Sequence, residues 1–274
     1  MKISISYSLT ATSMPQIMFT GDLDRQAAML AEMGYDGLDL FIPQPKEANG
    51  AAIARSLEKI GLRVSMLAAA GDIIADGLFL NTEHPLDLDR LLERSKFHLE
   101  LCASLGAMPN IGFIRGTHPT GKDPEVKNAS LARMAEGVRR YCDLAHSWGV
   151  EVLLEPICRY EINSINTTAQ GLELIHLAGS PANLGLLLDL FHMNIEEQSL
   201  CAAMVHAGTR IRHVHFVDNT RAVPGRGCLP LGDIVGILHG LGYQGYLGLE
   251  AIPGDSPETE ARSGLEWTRQ LVSL

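Results

Sequence analysis

Paired cysteines, long apolar runs and basic clusters are all missing from this sequence, and each absence removes a class of explanation. The five cysteines, Cys102, Cys142, Cys158, Cys201 and Cys228, are odd in number, scattered, and never spaced as CxxC. Neither a disulfide framework nor a thiolate zinc site is expected, and reduced thiols suit a cytoplasmic protein. No stretch approaches the roughly 18 apolar residues of a membrane span. The N-terminus alternates Ile3-Ser4-Ile5-Ser6 where a secretory leader would carry an apolar core. No membrane partner is expected. Arg139–Arg140 and Arg210 with Arg212 are short and flanked by acidic or apolar residues, and the net charge of −10 repels a phosphate backbone. No nucleic-acid partner is expected either.

What is present is a rhythm. Short β-rich runs fall at Ile3–Ser8, Gly37–Phe41, Arg63–Leu67, Met108–Ile114, Val150–Glu155, Leu184–Asp189, Ile211–Phe216 and Tyr246–Glu250. Helical periodicity fills the intervals at about 23–33, 49–60, 86–105, 128–148, 168–178, 197–208, 231–241 and 257–272. Gly34, Gly61, Gly149 and Gly242 follow helical stretches, as a residue that accepts the left-handed C-terminal conformation should. Leu184–Leu188 is continuously apolar, as in a strand covered on both faces within a parallel sheet. Strand and helix alternate through 274 residues of 46% hydrophobic composition, close to the roughly 250 residues of one α/β barrel. The expected fold is a single-domain (β/α)8 TIM barrel spanning 1–274, with a doubly wound open sheet as the structural alternative. No linker, low-complexity tract or internal repeat divides it.

In such a barrel the C-terminal strand ends converge on one mouth, where active sites form. The last four strands end on Glu155, Asp189, His215 and Glu250, each after an apolar run. Three carboxylates in one low-dielectric mouth repel, and a divalent cation removes the conflict. Three oxygens and one imidazole suit Mn²⁺, Co²⁺ or Mg²⁺; Zn²⁺ is admitted by the same donors but no thiolate favours it. A lone Asp or Glu at a strand end is ordinarily a helix cap or a solvated loop residue; four coordinating types on consecutive strands are not so easily dismissed. His213 shares strand parity with His215 one layer deeper and reads as a hydrogen-bonded core residue. His98, His146, His176 and His206 fall within helices, where surface or capping roles are expected. Gly225-Arg226-Gly227 reads as a plain turn, since no full phosphate-loop pattern surrounds it.

Several segments resemble one family. Glu155-Pro156-Ile157-Cys158-Arg159-Tyr160-Glu161 followed by Ser164-Ile165-Asn166-Thr167, and Leu188-Asp189-Leu190-Phe191-His192-Met193-Asn194-Ile195-Glu196-Glu197, are similar to motifs of the ketose 3-epimerases, the D-tagatose and D-psicose 3-epimerases. So are His213-Val214-His215, Asn219, Arg221, Val223-Pro224-Gly225-Arg226-Gly227, and Gly242-Tyr243-Gln244-Gly245 leading to Glu250. The resemblance covers the second half of the chain well and the first half only in general layout. It implies a xylose isomerase-like barrel in which Glu155, Asp189, His215 and Glu250 bind one metal ion. It also implies that Glu161, His192 and Arg221 contact the sugar, and that the protein assembles as a dimer or tetramer. Cys158 stands where the family usually has asparagine, a substitution expected to alter substrate contacts. The segment Ala251-Ile252-Pro253-Gly254-Asp255 is shorter than the family's Arg- and Gly-containing stretch.

The expected reaction is epimerisation at C3 of a ketose. Glu155 and Glu250, on opposite faces of the sugar, remove and return a proton through a metal-stabilised enediolate. Isomerisation of hydroxypyruvate, an inosose-like cyclitol or a sugar phosphate on the same scaffold remains open. An endonuclease IV-like nuclease needs further metal histidines after the third and fourth strands, where this chain has Leu67-Ala68-Ala69-Ala70 and Phe113-Ile114-Arg115-Gly116. It also needs Asp-x-His after the seventh, where Asp218-Asn219-Thr220 stands. A non-catalytic sugar-binding protein would not need both glutamates.

Overall fold

Serine and isoleucine alternate along the first strand because its two faces meet different surroundings. In a computed structural model that describes residues 1–42, 45–68, 70–121 and 123–273, Ile3, Ile5 and Tyr7 pack outward under the helices, while Ser4, Ser6 and Ser8 are buried on the other face. That strand is β1 (Lys2–Ser8). The others are β2 (Gly37–Phe41), β3 (Arg63–Ala68), β4 (Met108–Pro109), β5 (Val152–Leu154), β6 (Leu184–Asp189), β7 (Ile211–His215) and β8 (Tyr246–Leu249). All pair in parallel, in the spatial order β4-β3-β2-β1-β8-β7-β6-β5. Asn110 bridges to Leu153, and Ile111 N donates to Leu153 O at 2.9 Å, which brings β4 against β5 and nearly closes the ring. The fold is the (β/α)8 barrel that the sequence rhythm predicts, not the open sheet. A two-residue strand at Phe19–Thr20 lies parallel to the end of β1.

The helices are α1 (Leu23–Met33), α2 (Gly50–Lys59), α3 (Gly71–Ala75), α4 (Pro85–Leu105), α5 (Pro124–Ser147), α6 (Thr168–Leu177), α7 (Leu190–Glu196), α8 (Leu200–Ala207), α9 (Leu231–Gly240) and α10 (Pro257–Val272). Local chemistry sets their starts. Thr167 and Gln170 form a reciprocal capping box at α6, and Pro124 occupies the first turn of α5 behind the Asp123 cap, earlier than periodicity alone places it. Among the described residues no helix is long and apolar enough to cross a membrane.

Two cores result. The larger lies between sheet and helices; a small one, Met66, Leu153 and Leu187, fills the barrel interior. Trimming Leu187 to alanine there should cost about 2–5 kcal/mol, since little can collapse into the gap.

The structure corrects several expected boundaries. The fourth strand stops at Pro109 instead of running to Ile114, because Asn110 turns back to accept from Gly112 N at 2.8 Å and a 3₁₀ turn forms over Phe113–Arg115. The expected 197–208 helix is preceded by α7, which carries His192. His98 is buried and bonded to Asp72 at 3.1 Å, not at the surface, while His146, His176 and His206 are exposed. Ala69, counted in the sequence among the residues ending the third strand, lies outside the described residues.

Candidate active site

Asp189 ends β6 and starts α7, and its two oxygens divide the work. Oδ1 accepts from Phe191 N at 2.7 Å and His192 N at 3.4 Å as the helix cap, leaving Oδ2 free to face the barrel mouth. His215 Nδ1 lies 3.4 Å from that Oδ2, 3.5 Å from Glu250 Oε2 and 3.8 Å from Glu155 Oε1. All four residues are buried. The structure thus brings together the whole predicted ligand set. Donors held about 2.0–2.2 Å from a cation stand about 3–3.6 Å apart, so the spacing fits one divalent ion with little movement. Glu155, Asp189 and His215 form a group able to hold a metal ion.

Electrostatics agree with a cage that wants positive charge. Burial raises the Glu250 carboxyl, although His215 and Arg221 pull it back down. Burial works against a charged His215, yet Glu250, Asp189 and Glu155 outweigh it and lift the imidazolium to about 10. Arg221 is buried, with φ of 60°. Its Nη2 donates to Asp189 Oδ2 at 3.1 Å and contacts Glu250 Oε2, and Nη1 lies 3.5 Å from Glu161 Oε1.

The cage opens on a cavity of about 200 Å³ lined by Glu155, Glu161, His192, Arg221 and Glu250 on one side. Met14, Phe41, Ala68, Ile74 and Phe113 from the first half of the barrel give the opposite wall its apolar character. Glu161, His192 and Arg221 therefore all face the space beside the cage, as expected of substrate contacts. His192 Nδ1 is buried and has no hydrogen-bond partner among the described residues.

Other supporting groups had little or no voice in the sequence. Asn110 Nδ2 donates to Glu155 Oε2 at 2.6 Å. Arg115, wholly buried, bonds Glu155 O at 2.8 Å and Ser164 O at 2.7 Å, fixing the loop that carries Glu155; burial lowers its guanidinium to about 9. Below the cage, Asp39 accepts from Ser4 Oγ at 2.7 Å and from Ser65, lies 3.2 Å from His213 Nε2, and stands 3.7 Å from His215 Nε2. Burial would raise its carboxyl, but His213, His215 and Ser65 hold it down at about 2. His213 is the hydrogen-bonded interior residue that its strand parity predicts. Gly248 makes room for the network: a Cβ there would stand 1.9 Å from Asp39 Oδ2. The one available signal was Asp39 itself, a lone charge between Leu38 and Leu40 in an apolar strand.

A (β/α)8 barrel with a carboxylate–imidazole cage at the C-terminal ends of β5 to β8 is an enzyme architecture. The chain belongs to the xylose isomerase-like TIM barrel family, whose profile matches residues 27–271. The L-ribulose 3-epimerase of Mesorhizobium japonicum is 30% identical over 243 residues, covering 85% of this chain and 77% of the relative. The ketose 3-epimerase of Arthrobacter globiformis is 28% identical over 243 residues, covering 86% and 81%. In structure, D-psicose 3-epimerase from Clostridium cellulolyticum H10, solved with D-tagatose, superposes with a TM-score of 0.80 over 99% of both chains at 21% identity, a likeness of fold. The chain is an enzyme of the isomerase and epimerase class.

Proposed function

We propose that this chain, as one domain, is a divalent-metal-dependent ketose 3-epimerase in which Glu155 and Glu250 exchange the C3 proton. The observation that carries the reading is the convergence of three carboxylates on His215 Nδ1 at 3.4–3.8 Å, beside a cavity that both glutamates line. The activities of the relatives support it. Mn²⁺, Co²⁺ or Mg²⁺ suits the donor set, and when bound supplies Lewis-acid stabilisation of charge developing on the substrate carbonyl oxygen.

The chain's own residues do the rest. One glutamate takes the C3 proton and the other returns a proton to the opposite face, inverting that centre. Burial raises the Glu250 carboxyl, which makes its carboxylate a better base than a solvated one. Asn110 and the Arg115-braced loop fix Glu155, so that little reorganisation accompanies proton transfer. His192 Nδ1, buried and unpartnered, offers a hydrogen bond to a substrate hydroxyl, and Glu161 and Arg221 line the same space. Arg221 is the arginine among the described residues lining the cavity, and its guanidinium is already engaged by Glu250 and Asp189. An unphosphorylated ketose therefore fits better than a sugar phosphate.

The test is incubation with free ketoses, including L-ribulose, D-psicose and D-tagatose, in D₂O with Mn²⁺ or Co²⁺. Deuterium at C3 of both epimers is expected by NMR. Turnover of hydroxypyruvate or an inosose with no exchange at C3 of any ketose would overturn the reading.

A further inference from the structure

His192 has two faces, and the cage uses only one. Its Nε2 looks toward Asp189 Oδ2 at 3.8 Å and Glu155 Oε1 at 3.9 Å, while Nδ1 looks the other way, 3.9 Å from Glu161 Oε1. On that far side a sulfur, an oxygen and a nitrogen of Cys158, Glu161 and His192 lie within 4.8 Å of one another. His192 is 3% exposed and Nδ1 has no partner among the described residues; Cys158 is 1% exposed, and the Glu161 side chain, 35% exposed, opens the group to the cavity. Cys158 is thus not a lone thiol: a buried imidazole nitrogen without a partner among the described residues and a partly exposed carboxylate stand beside it. Burial raises the Cys158 thiol, and the backbone amides of Tyr160 and Glu161 pull it only part of the way back.

We propose that Cys158, Glu161 and His192 form a second cation site beside the cage, selective for a thiophilic divalent ion such as Zn²⁺ or Cd²⁺. The cage offers oxygen and nitrogen only, whereas a thiolate selects soft ions. Three protein donors with an open side toward the cavity make an incomplete tetrahedron. The exposed Glu161 can close the remaining distance, because donors at bonding range stand about 3–3.6 Å apart. Binding breaks the Cys158 S–H bond, forms one sulfur–metal bond and releases the proton to solvent; no electrons are transferred. An ion here takes up His192 Nδ1 and Glu161 on the rim where substrate enters, so zinc inhibits while the cage remains loaded.

The test uses the full chain preloaded with Mn²⁺ and titrated with Cd²⁺, in a Cys201→Ser/Cys228→Ser background that removes the more accessible thiols. The expected result is one equivalent of Cd²⁺ per chain, a sulfur-to-cadmium charge-transfer band in the ultraviolet, and no free Mn²⁺ by electron paramagnetic resonance. Cys158→Ser should abolish the band and weaken Cd²⁺ by about tenfold or more. Glu161→Gln should keep the band and weaken binding as well. The proposal fails if no band forms, if the band survives Cys158→Ser, if neither variant changes Cd²⁺ affinity, or if Mn²⁺ leaves in step with Cd²⁺ binding. Failure of the epimerase reading would be separate: it shows as absent C3 exchange, and the cadmium band can be read on the chain whether or not Mn²⁺ binds.

Discussion

Arg221 Nη2 donates to the same Asp189 oxygen, at 3.1 Å, that lies 3.4 Å from His215 Nδ1. A guanidinium and a metal ion would therefore neutralise overlapping charge. Arg221→Gln leaves buried Asp189 and Glu250 with His215 as their main counter-charge. Removing one partner of a buried pair costs roughly 3–5 kcal/mol when nothing replaces it. Metal-stripped Arg221→Gln should lose about that much stability in urea, and saturating Mn²⁺ should recover most of it. Equal losses with and without Mn²⁺ would mean that the arginine and the cation do not share a role.

Asp39 sits beneath the cage, facing the imidazole nitrogen that the cage leaves free. A carboxylate behind a ligating histidine fixes its tautomer and orientation, and losing one typically costs 10–100-fold in metal affinity. Asp39→Asn should weaken Mn²⁺ binding by about that factor in a calorimetric titration. The same group predicts an acid limb. Its folded carboxyl is held near 2, below the unfolded value near 3.8, so its contribution is present above pH ~4 and lost as pH falls toward 2. That contribution is on the order of 2 kcal/mol. A plot of urea stability against pH should show this limb in the wild type and lack it in Asp39→Asn.

His215 carries the opposite sign. Its proton is held to about 10 by the surrounding carboxylates, and a metal ligand must be the neutral imidazole. Cation binding at pH 7–8 should release about one proton, visible as a dependence of the apparent binding enthalpy on the buffer's ionisation enthalpy. A folded pKa above the unfolded 6.5 contributes stability that is complete below 6.5 and lost as pH rises through about 10. The metal-stripped protein should therefore melt earlier as pH climbs across that window. A melting temperature flat from pH 6.5 to 10 would refute the assignment.

The convergence of the proposed ligands was legible because each ends an apolar strand, and strand ends of a parallel barrel share a mouth. The barrel itself was legible in the alternation of eight strands with eight helical stretches and in the continuously apolar Leu184–Leu188, a strand covered on both faces. What supports the cage was not. Asn110 reaches Glu155, and Arg115 reaches the carbonyls of Glu155, Ser164 and Ile165, across 40 to 50 residues of chain. No local periodicity encodes such a pairing. Arg221 was legible only through the family resemblance, because a loop arginine before a Pro-Gly turn carries no local sign of burial, whereas tertiary charge draws it inward. The apolar cavity wall comes from Met14, Phe41 and Phe113, two of them in loops whose position only closure of the ring determines.

Asn110 offers the sharpest separation of positioning from ligation. It donates to Glu155 Oε2 at 2.6 Å while accepting from Gly112 N at 2.8 Å, so its amide is locked from both ends. Gly112 cannot carry a side chain freely, since a Cβ would stand 3.2 Å from the same Glu155 oxygen. Asn110→Ala removes the donor but leaves every proposed cage ligand in place. Under the proposed epimerisation, kcat should then fall by about 10–100-fold, because Glu155 no longer holds one orientation toward the C3 proton. The dissociation constant for Mn²⁺ should change by less than about threefold, and KM should change little. A C3-deuterated substrate should show a larger isotope effect in the variant, as proton transfer becomes the slow step. A collapse of Mn²⁺ affinity with kcat preserved at saturating metal would instead make Asn110 a support for ligation, not for proton transfer.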